Sequence, residues 1–325
     1  MTEESEDDKS SSSFRTYRNY LVAIQLWLTD RYGVGDEIYA SLSSAVQSQP
    51  GFRDLYLGSH NEWFIKERLR NAWATEVVMH LPAAFGHPDI LVYANHWACV
   101  QAYYATYLAA EAYLETTPWW RLKRTHKDTL RGLAVAAEKK RLFPPPWDAM
   151  CVGGSKQFSL VNFPESFTPS DISNLSNPSR FYFWDWLEKA LRTTRLGELR
   201  EARKRWIRST PKRTTKGTKY SKVPPKYREE AEKGAEPSTL FRFLYRLRIA
   251  SNYADADVFV LGTESSQAAA EFNRALTTLV GSSMFVLEKL AAATLGGQTV
   301  ADMGRAFLAS VPPARATLGV RLPHL

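Results

Sequence analysis

Two stretches, Ala94–Leu114 and Leu276–Leu295, restrict the architecture more than any other feature of the chain. Each is long and almost wholly apolar, broken by Gln101 and Glu111 in the first and by Glu288 and Lys289 in the second. A run of this kind is either a membrane span or a helix buried on most of its faces, and interior charges favour burial in protein. Tyr93, Trp97, Val100, Tyr104, Leu108, Ala109 and Tyr113 recur at helical spacing, so a helix is expected from a cap at Asp89 to about Thr116, ended by Pro118. A second central helix is expected from Ser265 to about Leu295.

Central helices need a shell of others, and the rest of the chain supplies it. Tyr17, Leu21, Ile24 and Leu28 predict a helix over Phe14–Tyr32, and a second follows over Asp36–Val46. Ser59 or Asn61 caps a third that carries Trp63, Phe64, Leu69 and Trp73 to about Met79, before a loop at Pro82, Gly86 and Pro88. Further helices are expected over His126–Lys140, Phe181–Ser209 and Ser238–Ala254. Phe143-Pro-Pro-Pro-Trp147 breaks the pattern, and Gln157–Phe163 is the one short strand expected. The 210–237 segment, rich in Lys, Thr and Pro, is expected to be a mobile linker, and the tail with Pro312, Pro313 and Pro323 to be irregular. The fold class is all-α, a helical bundle.

Several chemistries are excluded early. Two cysteines, Cys99 and Cys151, make neither a disulfide framework nor a four-cysteine zinc site. His60, His80, His87, His96, His126 and His324 form no metal-binding pair, and no nucleotide-loop or nucleophile-elbow motif is present. No cofactor or metal is expected. Met1–Ser13 is acidic and Ser-rich, unlike a secretory signal, so it reads as a disordered tail on a cytoplasmic protein without a membrane segment.

The net charge of +8 hides an asymmetry. Lys189–Arg228 holds fifteen basic and two acidic residues, a net of +13, which leaves −5 on the rest. Arg192, Arg195, Arg200, Arg203, Lys204, Arg205, Arg208, Lys212 and Arg213, with Trp206 among them, are the candidate contacts to RNA or another polyanion. Such a segment neutralises phosphates with strong salt dependence and carries no base specificity. The competing reading is a solvated charged helix, neutralised by the acidic N-terminal tail.

Three segments in order, Ala102–Leu114, Arg124-Thr-His-Lys127 and Leu247-Arg-Ile-Ala-Ser-Asn-Tyr253, resemble the HEPN superfamily, in its prokaryotic branch paired with nucleotidyltransferase-like proteins. Ala268-Ala-Ala-Glu-Phe272 is similar to the family's last helix. The resemblance implies a HEPN-like bundle built from 89–140 and 238–297. Around it lie the 1–13 tail, a 14–88 helical extension, a 141–237 basic insertion and a 298–325 tail. It also implies a homodimer, an antitoxin or nucleotidyltransferase-like partner, and a toxin–antitoxin or phage-defence setting.

Active family members cleave RNA without metal, using an Arg to hold phosphate and a His to move protons. Here Asn252 stands nearest the expected His, so RNA binding without the complete catalytic pair is the leading expectation. On an unbroken helix Arg248, Asn252 and Asp255 share one face with Tyr253 beside them, as a polar patch or a solvated face. In the alternative, an endoribonuclease, Arg248 or Arg246 holds the phosphate and His126 replaces the missing His. A third reading is a non-catalytic helical scaffold for a protein partner. His126 otherwise orients a helix start, His96 is a buried imidazole, and Tyr103 and Tyr104 are packing residues.

Overall fold

A computed structural model describes residues 6–55, 61–121, 123–172, 177–212, 218–254 and 256–325. The chain runs α1 (Glu6–Tyr32), α2 (Glu37–Gln47), α3 (Glu62–Ala84), α4 (Pro88–Glu115) and α5 (His126–Glu138). A hairpin follows, β1 (Met150–Gly154) antiparallel to β2 (Gln157–Val161) with Met150 opposite Val161. Then come α6 (Phe183–Ser209), α7 (Arg228–Glu232), α8 (Leu240–Ile249), a π-helical turn (Ala250–Ala254) and α9 (Ala256–Val260). The chain ends with α10 (Ser266–Leu295), α11 (Gly297–Ser310) and α12 (Leu318–Arg321). The all-α class is observed.

The two apolar stretches form the centre. α10 packs against α4, α3 covers α4, and α1 lies along α10. Leu276, Leu279, Phe285, Leu287 and Leu290 of α10 and Ala102, Ala109 and Tyr113 of α4 are fully buried. Among the described residues α10 is the one helix long and apolar enough to cross a membrane, and it is packed inside the protein.

The charges inside these helices have partners. Glu288 accepts the indole N–H of Trp73 at 2.9 Å and two N–H groups of Arg321 at 2.9 and 3.0 Å. Arg321 also reaches Glu76, at 2.8 Å to Oε2. Lys289 donates to the carbonyls of His324 and Leu325. Buried charges of this kind survive only when paired and hydrogen-bonded, and these partners tie the last residues of the chain onto the central helix.

Local signals explain most helix starts. Asn61 accepts the N–H of Phe64 at the start of α3, Thr125 that of Asp128 at α5, Thr239 that of Arg242 at α8 and Ser265 that of Ala268 at α10. Asp89 does not cap α4. His87 takes the cap position, and the Asp89 carboxylate accepts the hydroxyl of Ser266 across the bundle.

Other expectations are corrected. α1 begins at Glu6, inside the segment expected to be disordered. α3 runs through Pro82 to Ala84, which is tolerable because the carbonyl freed by Pro82 belongs to Val78 on the exposed side of the last turn. The tail is not irregular. Val300, Gly304 and Phe307 are buried along one face of α11, with the Phe307 ring 5.5 Å from that of Trp73. β1 was not anticipated.

Candidate functional site

Three tyrosines on one turn of α4 organise the site. Tyr103, Tyr104 and Tyr107 meet His126, the first residue of α5, and Tyr245 and Arg248 of α8. The Thr125 cap fixes where α5 begins and so where the imidazole stands. Tyr103 Oη lies 2.9 Å from His126 Nδ1, and the imidazole packs against the rings of Tyr107, Tyr103, Tyr104 and Tyr245 at 4.5, 5.4, 5.8 and 6.0 Å. Arg248 donates from Nη2 to Tyr104 Oη at 3.1 Å, and its guanidinium lies over the rings of Tyr104, Tyr103 and Tyr245 at 5.1, 5.7 and 5.8 Å. Arg248 and His126, 122 positions apart in sequence, therefore share one aromatic box.

The electrostatics follow from this packing. Burial, and then the positive charge of Arg248, lower the His126 pKa, so the imidazole is neutral at neutral pH. Burial pushes the Tyr103 phenol far up, so it keeps its proton. A phenol is the stronger donor and an imidazole nitrogen the stronger acceptor, so Tyr103 donates to Nδ1 and the imidazole proton stays on Nε2. Tyr107 donates to Glu111 at 2.8 Å, and Arg68 lies 3.0 Å from the other oxygen of that buried carboxylate. The box thus presents a fixed cation, an N–H donor and aromatic faces, the groups that hold a phosphate beside a base.

Of the predicted face of Arg248, Asn252 and Asp255, the first two lie in the described residues, on either side of the start of a π-helical turn. The backbone turns π-helical at Ala250, immediately after α8, and the α-helical periodicity on which that face depended stops there. Asn252 is half-buried; Asp255 and the side chain of Tyr253 lie outside the described residues. Arg246 points away from the box. With Tyr245 and Ile249 it lines a groove of about 530 Å³ between α8 and α6, whose opposite wall includes Arg200, Glu201 and Lys204. Tyr245 is the wall shared by groove and box.

The basic segment is less available than its charge suggests. Arg195 is buried and donates to the carbonyls of Gly153 and Glu236, so it is a structural arginine rather than a contact for a partner. Arg203 binds buried Glu232, with Nε at 2.7 Å. Trp206 is mostly buried beneath Tyr220 and Tyr227, its indole N–H on Glu230, so it is not an open stacking platform. Lys212 pairs with Glu230 at 2.6 Å, and Arg192 lies over the Phe158 ring beside Glu188. The expected mobile linker is in its described part strapped onto α6 by these contacts and by α7. Arg200, Lys204, Arg205 and Arg208 stay exposed along one stretch of α6, Lys204 with Glu201 2.8 Å away. Arg213 lies outside the described residues.

Sequence reasoning named Arg248 and His126 but missed Tyr107 and Tyr245 and gave Tyr103 and Tyr104 to packing. The available signal was spacing: Tyr245 and Arg248 are one helical turn apart, as are Tyr103 and Tyr107. Among the described residues no three metal-ligating side chains cluster. Comparison with protein-family models, curated proteins and solved structures finds no match to this chain.

Proposed function

We propose that this protein binds RNA, with the exposed cations of α6 and Arg246 of α8 tracking the phosphate backbone and the tyrosine box holding one phosphate on Arg248. The observation that carries this reading is the meeting of Arg248 and His126 in a box whose Tyr245 wall is also the wall of a cation-lined groove. The resemblance to the HEPN superfamily adds to it, with the homodimer, the antitoxin or nucleotidyltransferase-like partner and the defence setting that the resemblance implies.

Deleting the basic segment is a poor test, because Ala190, Leu191 and Leu199 within it are buried in the core. Point substitutions serve instead. Fluorescence anisotropy with a mixed-sequence RNA should give affinity that falls steeply between low and moderate salt. Changing Arg200, Arg205 and Arg208 together to Gln should reduce both affinity and salt slope, since each phosphate contact removed lowers the slope by about one. Wild-type protein that ignores RNA at low salt refutes the reading.

A second reading, RNA cleavage, is favoured by one specific contact, the Tyr103 hydrogen bond that leaves the His126 proton on Nε2 beside a guanidinium. In that reading the 2′-hydroxyl attacks the neighbouring phosphate and expels the 5′-oxygen, the hydroxyl proton passes through water to that leaving oxygen, Arg248 steadies the growing charge and the His126 Nε2–H hydrogen-bonds a phosphate oxygen. Cleavage in metal-free buffer that vanishes in both Arg248→Ala and His126→Gln supports it. Cleavage that survives both comes from elsewhere.

A further inference from the structure

The turn between α4 and α5 carries a cation cluster that the basic segment does not include. Arg121, Lys123, Arg124 and Lys127 are four basic residues within seven, with no acidic residue among them. All four are exposed, and none stands in an ion pair among the described residues. That sets them apart from Arg192, Arg203, Lys204 and Lys212 of the basic segment, each of which has a carboxylate partner. The carboxylates that feel the charges of the turn are already engaged. Glu111 is held by Arg68 and Glu236 by Arg131, and Asp128 accepts the backbone N–H of Lys123 at 2.7 Å.

The turn is also anchored beside the tyrosine box. Arg124 has φ +55°, in the left-handed region that an arginine seldom occupies, and its guanidinium lies 4.2 Å from the centroid of the Phe64 ring on α3. Backbone strain of this kind persists only where the surroundings hold it. The kink delivers the chain to the Thr125 cap, and His126 follows as the first residue of α5. The cations of the turn therefore meet the box at its His126 wall. The α6 groove meets it at its Tyr245 wall, and the two rings are 6.0 Å apart.

We infer that this turn is a second phosphate-binding surface, so that one RNA backbone crosses the tyrosine box from the α6 cations to Arg121, Lys123, Arg124 and Lys127. The inference rests on the RNA-binding reading and extends the site to residues outside the basic segment. The box favours a nucleic acid over an acidic protein surface as the partner. Aromatic faces set between two groups of cations suit a chain whose charges alternate with planar bases, which a row of carboxylates does not offer. A strand bound on both sides is held over Arg248 and His126 rather than beside them.

The test measures salt slopes by fluorescence anisotropy for a mixed-sequence RNA. Wild type is compared with a turn variant (Arg121→Gln, Lys123→Gln and Lys127→Gln), an α6 variant (Arg200→Gln, Arg205→Gln and Arg208→Gln) and the two sets combined. All six side chains are exposed, and thermal melting checks that each variant folds. The expected result is one RNA bound per chain and a slope lowered by about three in the turn variant, since each lost phosphate contact removes about one. The decrements of the two sets should add in the combined variant. If the turn variant does not fold, Lys123→Gln and Lys127→Gln decide singly, each with a slope lower by about one. A turn variant with the wild-type slope overturns the inference and, where the α6 variant still loses slope, leaves the RNA reading standing. Two RNAs bound per chain, one lost with each set, overturn the single crossing path. Wild-type protein that ignores RNA overturns both readings, and binding of poly-glutamate that the turn variant loses would then make the partner an acidic protein.

Discussion

The tyrosine box makes a quantitative claim about His126. Arg248 and the imidazole both lie within about 6 Å of the Tyr103, Tyr104 and Tyr245 rings, so their separation is on the order of 8 Å, where two unit charges at an effective dielectric of about 20 interact by roughly 2 kcal/mol. His126 is only half-buried, and solvent screening reduces this to about 1 kcal/mol. Arg248→Met keeps the length and the contact with the rings and removes the charge. The His126 pKa should therefore rise by roughly half to one pH unit. Arg248→Lys, which keeps the charge, should leave it low. The assay is an NMR titration of the six histidines, with His126 assigned by the loss of its signal in His126→Gln. The same geometry sets the sign for stability. Protonating His126 costs more in the folded than in the unfolded protein, so its contribution is lost as pH falls through about 6.5. Arg248→Met should soften that loss. A His126 pKa that does not move in Arg248→Met, or that moves equally in Arg248→Lys, refutes the placement of the two groups in one box.

Three further outcomes are expected. Burial pushes the Asp148 carboxyl up to about 7; because the folded form then binds its proton more tightly than the unfolded one, stability is lost as pH rises from about 4 through 7, and Asp148→Asn should raise Tm at pH 8 while changing it little at pH 4. Arg321→Met leaves Glu76 and Glu288 buried without their cation and should cost about 3–5 kcal/mol in urea unfolding at neutral pH, partly recovered by adding Glu76→Gln; a cost below about 1 kcal/mol would show the cluster to be hydrated. Trp206→Ala removes the ring that Tyr220 and Tyr227 pack on, so trypsin should cut after Lys212, Lys219 and Lys222 much faster than in wild type, at unchanged Tm of the bundle.

The sequence was most legible where the physics is local. The cap at Asn61 acts within one turn of its own backbone, and the α4 and α10 pattern is read from burial period alone, so these features agree with the structure. Reading failed where a distant partner decided the outcome. Arg195 looks like any other cation of the basic segment until the carbonyls of Gly153 and Glu236 are brought to it. The 210–237 segment has the composition of a free linker, yet Glu230 and Glu232, which lie just past the basic run, return to neutralise it. The π-helical turn after α8 was likewise not legible, since nothing in the composition of Ala250–Ala254 marks a change in the angle between successive residues.

The sequence alone therefore determined the class, the two central helices and the +13 segment, because periodicity, capping and charge are properties of neighbouring residues. Only the tertiary structure decided which cations remain open, that Arg248 and His126 share a tyrosine box, and that Arg195 is held by the carbonyls of Gly153 and Glu236. Each of those depends on helices far apart in the chain packing side by side, and long-range packing leaves no periodic trace in the residues that it joins.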